Sequence, residues 1–372
     1  MFIAIGILVV LLVVITILYM RQSKFGDTAK GERLQRMEAS NHFNTKDGVF
    51  ENISFTPTLT EGHSMAGIVK DQFFKKHPGR TPSQPLPHIT TDLKSLSADA
   101  NWLVWFGHSS YLLQVDELKI LVDPVFSGNA SPVPGSVKAF DGTNTYGVDD
   151  MPEIDYILIS HDHYDHLDYE TITAILPKVK KVVCGLGVGA HFEKWGYAPE
   201  NIIETDWWED VALAPGITLH STPTRHFSGR KFKRSTTLWQ SYVVEAPTFK
   251  VYIGGDSGYD THFAQIGEKY GPFDLAILEN GQYNKAWEAI HMLPEQLFLA
   301  ATDLKTERIF PVHSSKFALA MHTWHEPLSE VKRINEEYKF PLVTPLIGEV
   351  VNLSDSTQQF TYWWEGIEKK KD

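Results

Sequence analysis

The chain has 372 residues, 42% hydrophobic, 12% aromatic and 22% charged, with a formal net charge of -12. Such length and composition are ordinary globular material, enough for one large domain or two small ones, and the acidic balance argues against a nucleic-acid groove, which needs a basic surface. A single cysteine, Cys184, excludes an internal disulfide framework and fits a reducing compartment.

Phe2 to Met20 is an unbroken apolar run, without a charge and only mildly interrupted by Gly6 and Thr16. At about 1.5 Å per residue it is long enough to cross most of a bilayer. It reads as one retained transmembrane helix and not as a cleaved signal peptide. No basic residue precedes it, and Ile17-Leu18-Tyr19-Met20-Arg21 offers no small-residue cleavage site. Arg21, Lys24, Lys30, Arg33 and Arg36 follow, so the positive-inside tendency predicts a single-pass protein of the cell membrane with the rest of the chain in the cytoplasm.

Residues 21–97 read as a linker and arm, polar and irregular, with a proline cluster at Pro78, Pro82, Pro85 and Pro87. Such a stretch cannot build a core alone. Scattered apolar residues, among them Phe50, Ile53, Phe55 and Phe74, suggest that its later half lies against the main domain. At Trp102 the texture changes to short β-branched and aromatic runs. Trp102–Phe106, Tyr111–Val115 and Lys119–Val122 read as consecutive strands, the last two joined by a tight turn at Asp116-Glu117. Helical texture then appears at Tyr169–Leu176, Gly189–Trp195, His262–Tyr270, Pro294–Leu304 and Glu326–Tyr338, alternating with strands near Lys181, Ile217, Tyr242, Val251, Leu275 and Arg308. Strands in two groups with helices outside imply a layered α/β domain over residues 98–352, followed by a C-terminal extension over 353–372.

The densest chemistry lies at His161-Asp162-His163-Tyr164-Asp165-His166-Leu167-Asp168, after the apolar run Ile157-Leu158-Ile159. Three histidines and three aspartates occupy eight positions, with no Lys or Arg to pair the carboxylates. A His-rich surface turn would not follow so apolar a strand. His161 and His163, two apart, point the same way in an extended chain, while the bend that follows turns Asp165 and His166 toward a second ion. Imidazole with carboxylate oxygen suits zinc, with iron or manganese as alternatives. Three further candidates end or follow strands: His226, Asp256 and His313. Singly each is an ordinary loop residue. Together the strand ends offer five His and two Asp, the donor set a pair of zinc ions needs.

The ordered motifs HDHYDH, TPTRHFSGR, GGDSGY and PVHSSKFALA resemble those of the metallo-β-lactamase superfamily, and imply its αββα sandwich. WFGHSSYLLQVDELKILVDPVFS and HMLPEQ are similar to the branch containing N-acyl-phosphatidylethanolamine-hydrolysing phospholipase D and its bacterial relatives. The resemblance runs from about Asp47 to about Val350. It implies that His161, His163 and His226 hold one Zn2+, that Asp165, His166 and His313 hold a second, and that Asp256 bridges them. It also implies a substrate-side histidine, His291, grouped with Asp165 and Asp256 as catalytic. Asp123 and His108 would orient ligands or reach the cleft. His108, Arg225, Arg230 and Lys316 are candidates for contacting substrate. Ser314-Ser315-Lys316 and Glu279-Asn280-Gly281-Gln282 depart from the branch pattern, both beside the cleft.

The expected function is a membrane-anchored dizinc hydrolase. It would cleave a phosphodiester in a lipid or amphipathic substrate, such as N-acyl-phosphatidylethanolamine, with a water activated between the two ions. A lactonase or other carboxyl-ester hydrolase is the nearest alternative, and a non-catalytic membrane scaffold is the rival from another class. The expected partners are the membrane and the substrate, with no nucleic acid; a homodimer is compatible with the reading.

Overall fold

A computed structural model describes residues 2–367. Residues 368–372 of the expected C-terminal extension lie outside the described residues. In chain order, helix α1 (Phe2–Met20) is followed by α2 (Gly31–Glu38), the short strands β1 (Phe43–Asn44) and β2 (Val49–Phe50), and α3 (Met65–Phe74). The strands β3 (Trp102–Trp105), β4 (Tyr111–Val115), β5 (Leu118–Val122) and β6 (Ile154–Ile159) come next, then α4 (Tyr169–Ile175), β7 (Val179–Gly185), α5 (Gly189–Lys194) and β8 (Ile202–Thr205). The second half contains β9 (Asp210–Ala214), β10 (Ile217–Thr222), β11 (Ser241–Glu245), β12 (Lys250–Ile253), α6 (His262–Lys269), β13 (Leu275–Glu279), α7 (Pro294–Leu304), β14 (Ile309–Val312), α8 (Glu326–Tyr338) and β15 (Val350–Asn352).

Strand alternation builds the layers. In β4 to β6, Leu113, Ile120, Val122, Tyr156 and Leu158 point inward to meet Leu219, Tyr242, Val244, Ile253, Ile277 and Phe310 of the opposite sheet. Their neighbours Leu112, Leu121, Ile157 and Ile159 point outward under α4 and α5, against Ile172, Ile175 and Phe192. Burial on both faces is why these strands read as nearly continuous apolar runs. The seven-stranded sheet has the order β15-β3-β4-β5-β6-β7-β8 and the six-stranded sheet the order β14-β13-β12-β11-β10-β9. The outer face of the second sheet is covered by α6, α7 and α8 through Phe263, Ile266, Leu297, Phe298, Val331 and Ile334. The result is the helix–sheet–sheet–helix sandwich that the motifs implied. Asp116 and Glu117 both take positive φ, 46° and 69°, as a two-residue hairpin turn requires.

Two expectations change. The run Phe2–Met20 forms a 19-residue helix whose isoleucines, leucines and valines are exposed along its length. Among the described residues, however, no helix is long and apolar enough to cross a membrane. At about 1.5 Å per residue, α1 reaches about 28 Å, short of the roughly 30 Å hydrocarbon core. The arm is also more ordered than its composition suggested, and its early half is docked too. Phe25, Ala29, Met37 and Phe50 are buried, and Arg33 reaches Glu204 at 2.5 Å and Glu193 at 2.8 Å. A few well-placed apolar side chains are enough when each finds a pocket in a domain that is already folded.

Candidate metal centre

Strand ends from both sheets open at one end of the sandwich, and the chemistry gathers there. β6 delivers Ser160 and the loop after it. In that loop the backbone N–H groups of His166 and Leu167 both donate to the His163 carbonyl, at 3.1 and 2.8 Å, folding the chain into a tight turn. Leu167 is fully buried in the outer core of the first sheet. Asp168 fixes the start of α4 by accepting from Ser127 N at 2.9 Å and Thr171 Oγ1 at 2.5 Å. The turn is thereby held from behind while its histidines face the opening.

Two distant strand ends are tied to each other. His108, after β3, and His313, after β14, take positive φ of 55° and 66°, an uncommon conformation for non-glycine residues. His313 N donates to His108 O at 3.0 Å and His108 N to Ser314 O at 3.0 Å. These bonds close the two sheets over the site. Asn52 of the arm does the same for the loop after β10: its Nδ2 donates to His226 O at 2.8 Å, and its Oδ1 accepts from His226 N at 3.1 Å.

The donor atoms converge in overlapping groups. His161, His163 and His226 bring ring nitrogens within 4.8 Å of one another; the donor atoms of His161, His166 and Asp256, and of His108, Asp165, His166 and His313, meet within the same distance. Asp256 stands between them. Its Oδ2 lies 3.2 Å from His166 Nε2 and 3.8 Å from the Nε2 atoms of both His161 and His226, while its Oδ1 lies 3.1 Å from His313 Nδ1. His166 Nε2 and Asp256 Oδ1 are buried and satisfied by no hydrogen bond. Unpaired buried polar atoms are costly, and here both face a ring of further lone pairs, the arrangement a divalent cation would satisfy. Burial pushes the pKa of His161, His226 and His313 well below the ordinary imidazole value. Neutral rings are the form that binds metal.

The surroundings orient these groups. Asp123, itself at positive φ, accepts from His166 Nδ1 at 2.8 Å, Ser160 N at 2.8 Å and Ser160 Oγ at 2.6 Å. Holding one ring nitrogen of His166 leaves the other to face the cluster. Asp162, between two of the histidines, turns away: it accepts from Gly229 N at 2.6 Å and Thr237 Oγ1 at 3.0 Å and contacts His191 Nε2 at 3.2 Å. Burial raises the Asp162 pKa, but the hydrogen bond and charge of His191, with His163 and Arg230, outweigh it and bring it down to about 2.

His291 lines the cleft together with His163, Asp165, Asp256 and His313, and its Nδ1 is 2.9 Å from Glu279 Oε2. The other four candidates for substrate contact are committed elsewhere. His108 is fully buried, with Nε2 2.9 Å from Asp165 Oδ2, so it orients that carboxylate and does not reach the cleft. Arg225 donates to Thr56 Oγ1 and to the Phe55 and Tyr259 carbonyls, and lies 3.6 Å from Asp260. Arg230 is buried and donates to the carbonyls of Lys24, Asp162 and Leu167. Lys316 is buried, with Nζ donating to Phe106 O at 3.1 Å and Val125 O at 2.9 Å. Each of these donors is therefore engaged within the fold.

Sequence reasoning missed Glu279 as a partner. It is the last residue of β13, fully buried, and accepts from Met292 N at 2.6 Å as well as meeting His291; burial, opposed by His291, raises its pKa to about 7. The signal was a carboxylate where an apolar run was expected. Gln282 was missed too: its Oε1 accepts from Leu319 N and Ala320 N, bracing the loop after His313. Trp287 also lines the cleft, whereas Trp363 and Trp364 are buried in the core between the sheets.

Comparison with known proteins agrees with this architecture. A family model described as a β-lactamase superfamily domain matches residues 119–314. An uncharacterized protein of Mycobacterium tuberculosis is 35% identical over 326 residues, covering 86% of this chain and 87% of its own length. An N-acyl-phosphatidylethanolamine-hydrolyzing phospholipase D of Caenorhabditis elegans is 28% identical over 73% of this chain and 81% of its own. Among solved structures, the metallo hydrolase Igni18 of Ignicoccus hospitalis superposes with a TM-score of 0.50 at 22% identity, covering 68% of this chain and 97% of that one. With a family match over more than half its length and a strand-end cluster of the kind such folds carry, this chain belongs to the β-lactamase superfamily of metal-dependent hydrolases.

Proposed function

We propose that the protein is a dizinc phosphodiesterase acting on a lipid or amphipathic substrate, and that α1 holds it at a membrane. The observation that carries the reading is the convergence, in overlapping groups, of five histidines with Asp165 and Asp256, of which His163, His226, His313 and both aspartates line one cleft. His161, His163 and His226 would hold one ion, Asp165, His166 and His313 the other, with Asp256 between them. Bound there, a pair of divalent ions would acidify a water and neutralise charge on a phosphoryl oxygen.

The chain's own residues do the rest. Asp123 and His108 fix the rotamers of His166 and Asp165, so the floor is rigid before substrate arrives. His291, held by Glu279, stands at the cleft wall, where an oxygen of the substrate would meet it. The lipid reading draws support from the surroundings: Met65 and Ile68 of α3 line the cleft, and Phe55, Phe74 and Phe232 are more than four-fifths exposed. The Caenorhabditis relative, whose name states hydrolysis of an N-acyl phospholipid, supports the same class.

Paired assays on a phosphodiester and a lactone, with Asp256→Asn as control, test the reading. Metal-dependent cleavage of the phosphodiester that Asp256→Asn abolishes is the expected result. Cleavage of the lactone alone would assign the site to carboxyl esters, and metal-loaded protein inert toward both would return the scaffold reading.

A further inference from the structure

We propose that Arg234 recognises the negative charge of the substrate, from the wall between two joined chambers. The inference rests on the phosphodiester reading above and adds a residue that fixes the substrate's charge.

The chamber over the cluster of His and Asp donors has a volume of about 280 Å³. Beside it lies a larger one of about 530 Å³, built by the arm from Phe50, Asn52, Phe55 and Thr56 against Trp239. The two share His226, Phe227, Ile290, Thr58 and Arg234. A substrate bound at the cluster and extending past His226 into the arm-side chamber passes Arg234.

Three arginines lie in this region, and two are consumed by the fold, as described above. Arg234 is not. Its guanidinium lies 4.8 Å from the centre of the Phe227 ring, and among the described residues its N–H groups have no protein partner. Phe227 in turn packs against His163 and His226, with ring centres 4.6 and 4.9 Å apart. One aromatic ring therefore separates a permanent, unpaired cation from two residues of the cluster. Stacking orients the plane of a guanidinium and leaves its edge free to fork an oxyanion. The backbone beneath is pinned: Ser235 N donates to Ser228 O at 2.8 Å, and Ser228 Oγ donates to Thr237 O at 2.6 Å. The acid nearest in the arm-side chamber, Glu51, is engaged by Asn44 Nδ2 at 2.8 Å, and the loop's Lys233 donates to Asp47 O.

The test uses the full chain, metal-loaded in detergent micelles, as wild type, Arg234→Gln and Arg234→Lys. Three quantities are measured: KM and kcat for bis(4-nitrophenyl) phosphate, the same for the neutral ester 4-nitrophenyl acetate, and calorimetric binding of inorganic phosphate. Metal content and Tm are recorded as controls on folding. The expected result for Arg234→Gln is a KM for the phosphodiester raised by roughly ten- to a hundredfold, with kcat much less affected. Phosphate binding weakens in parallel, the loss on the neutral ester is far smaller, and Arg234→Lys recovers part of the deficit. Unchanged phosphate binding in Arg234→Gln, or an equal loss on anionic and neutral substrates, overturns the inference. If wild type cleaves no phosphodiester, the functional reading falls, and the phosphate-binding arm still decides the role of Arg234.

Discussion

Lys316 illustrates how far a single side chain can differ from its sequence appearance. It sits three residues past His313, where a lysine suggests a phosphate contact, yet it is buried and ties the ends of two other strands by their carbonyls. Burial lowers its pKa from 10.5 to about 7. The unfolded chain therefore binds a proton that the folded chain lacks across that window, so this residue makes stability rise with pH between those values, by about 1.4 kcal/mol per unit. Lys316→Met should remove that slope, seen as the difference between wild-type and variant denaturation curves across the window. It should also cost about 2–4 kcal/mol, because two buried carbonyls lose their donor. KM should be unaffected. At the metal floor, His163→Ala removes one donor of the three-histidine group and should lower metal content toward one ion per chain while the fold persists, read by elemental analysis and circular dichroism.

Among the elements, the arm contributes more than a cover. Asn52 holds both backbone groups of His226, so Asn52→Ala should loosen that loop, cost about 1–3 kcal/mol and weaken metal binding measurably in a chelator competition. Unchanged metal affinity would show that the loop holds itself. Much of the fold was legible in the residues because alternation and length speak clearly there: Pro294–Leu304 and Glu326–Tyr338 have the bounds their patterns predict, and the strand ends before Asp256 and His313 were visible as apolar runs ending in a donor. What was not legible depends on contacts between distant segments. Nothing near Arg230 says that its guanidinium will meet the Lys24 carbonyl, and nothing near Arg234 says that its own will take no protein partner among the described residues. The arm misled for the same reason, since its order comes from pockets supplied by the domain.

At the scale of the whole molecule, α1 exposes most of its isoleucine, leucine and valine side chains, which water disfavours at about 25 cal/mol per Å². Its C-terminal end is tied to the domain: Tyr19 Oη and Lys24 Nζ both donate to Pro132 O at 2.6 Å, and Phe25 is buried. The full chain should float with phospholipid vesicles in a density gradient, and a variant lacking residues 2–20 should stay at the bottom with its metal content intact. Equal flotation of both would move the lipid contact to α3 and the exposed phenylalanines.

If the strand-end cluster hydrolyses a phosphodiester lipid, turnover must depend on the metal it binds. The most direct measurement is turnover of N-acyl-phosphatidylethanolamine in mixed micelles by the full chain loaded with zinc, before and after chelation. Release of an N-acylethanolamine should stop with chelator and return when zinc is restored. Zinc-replete protein that leaves this substrate and other phospholipid diesters intact would contradict it.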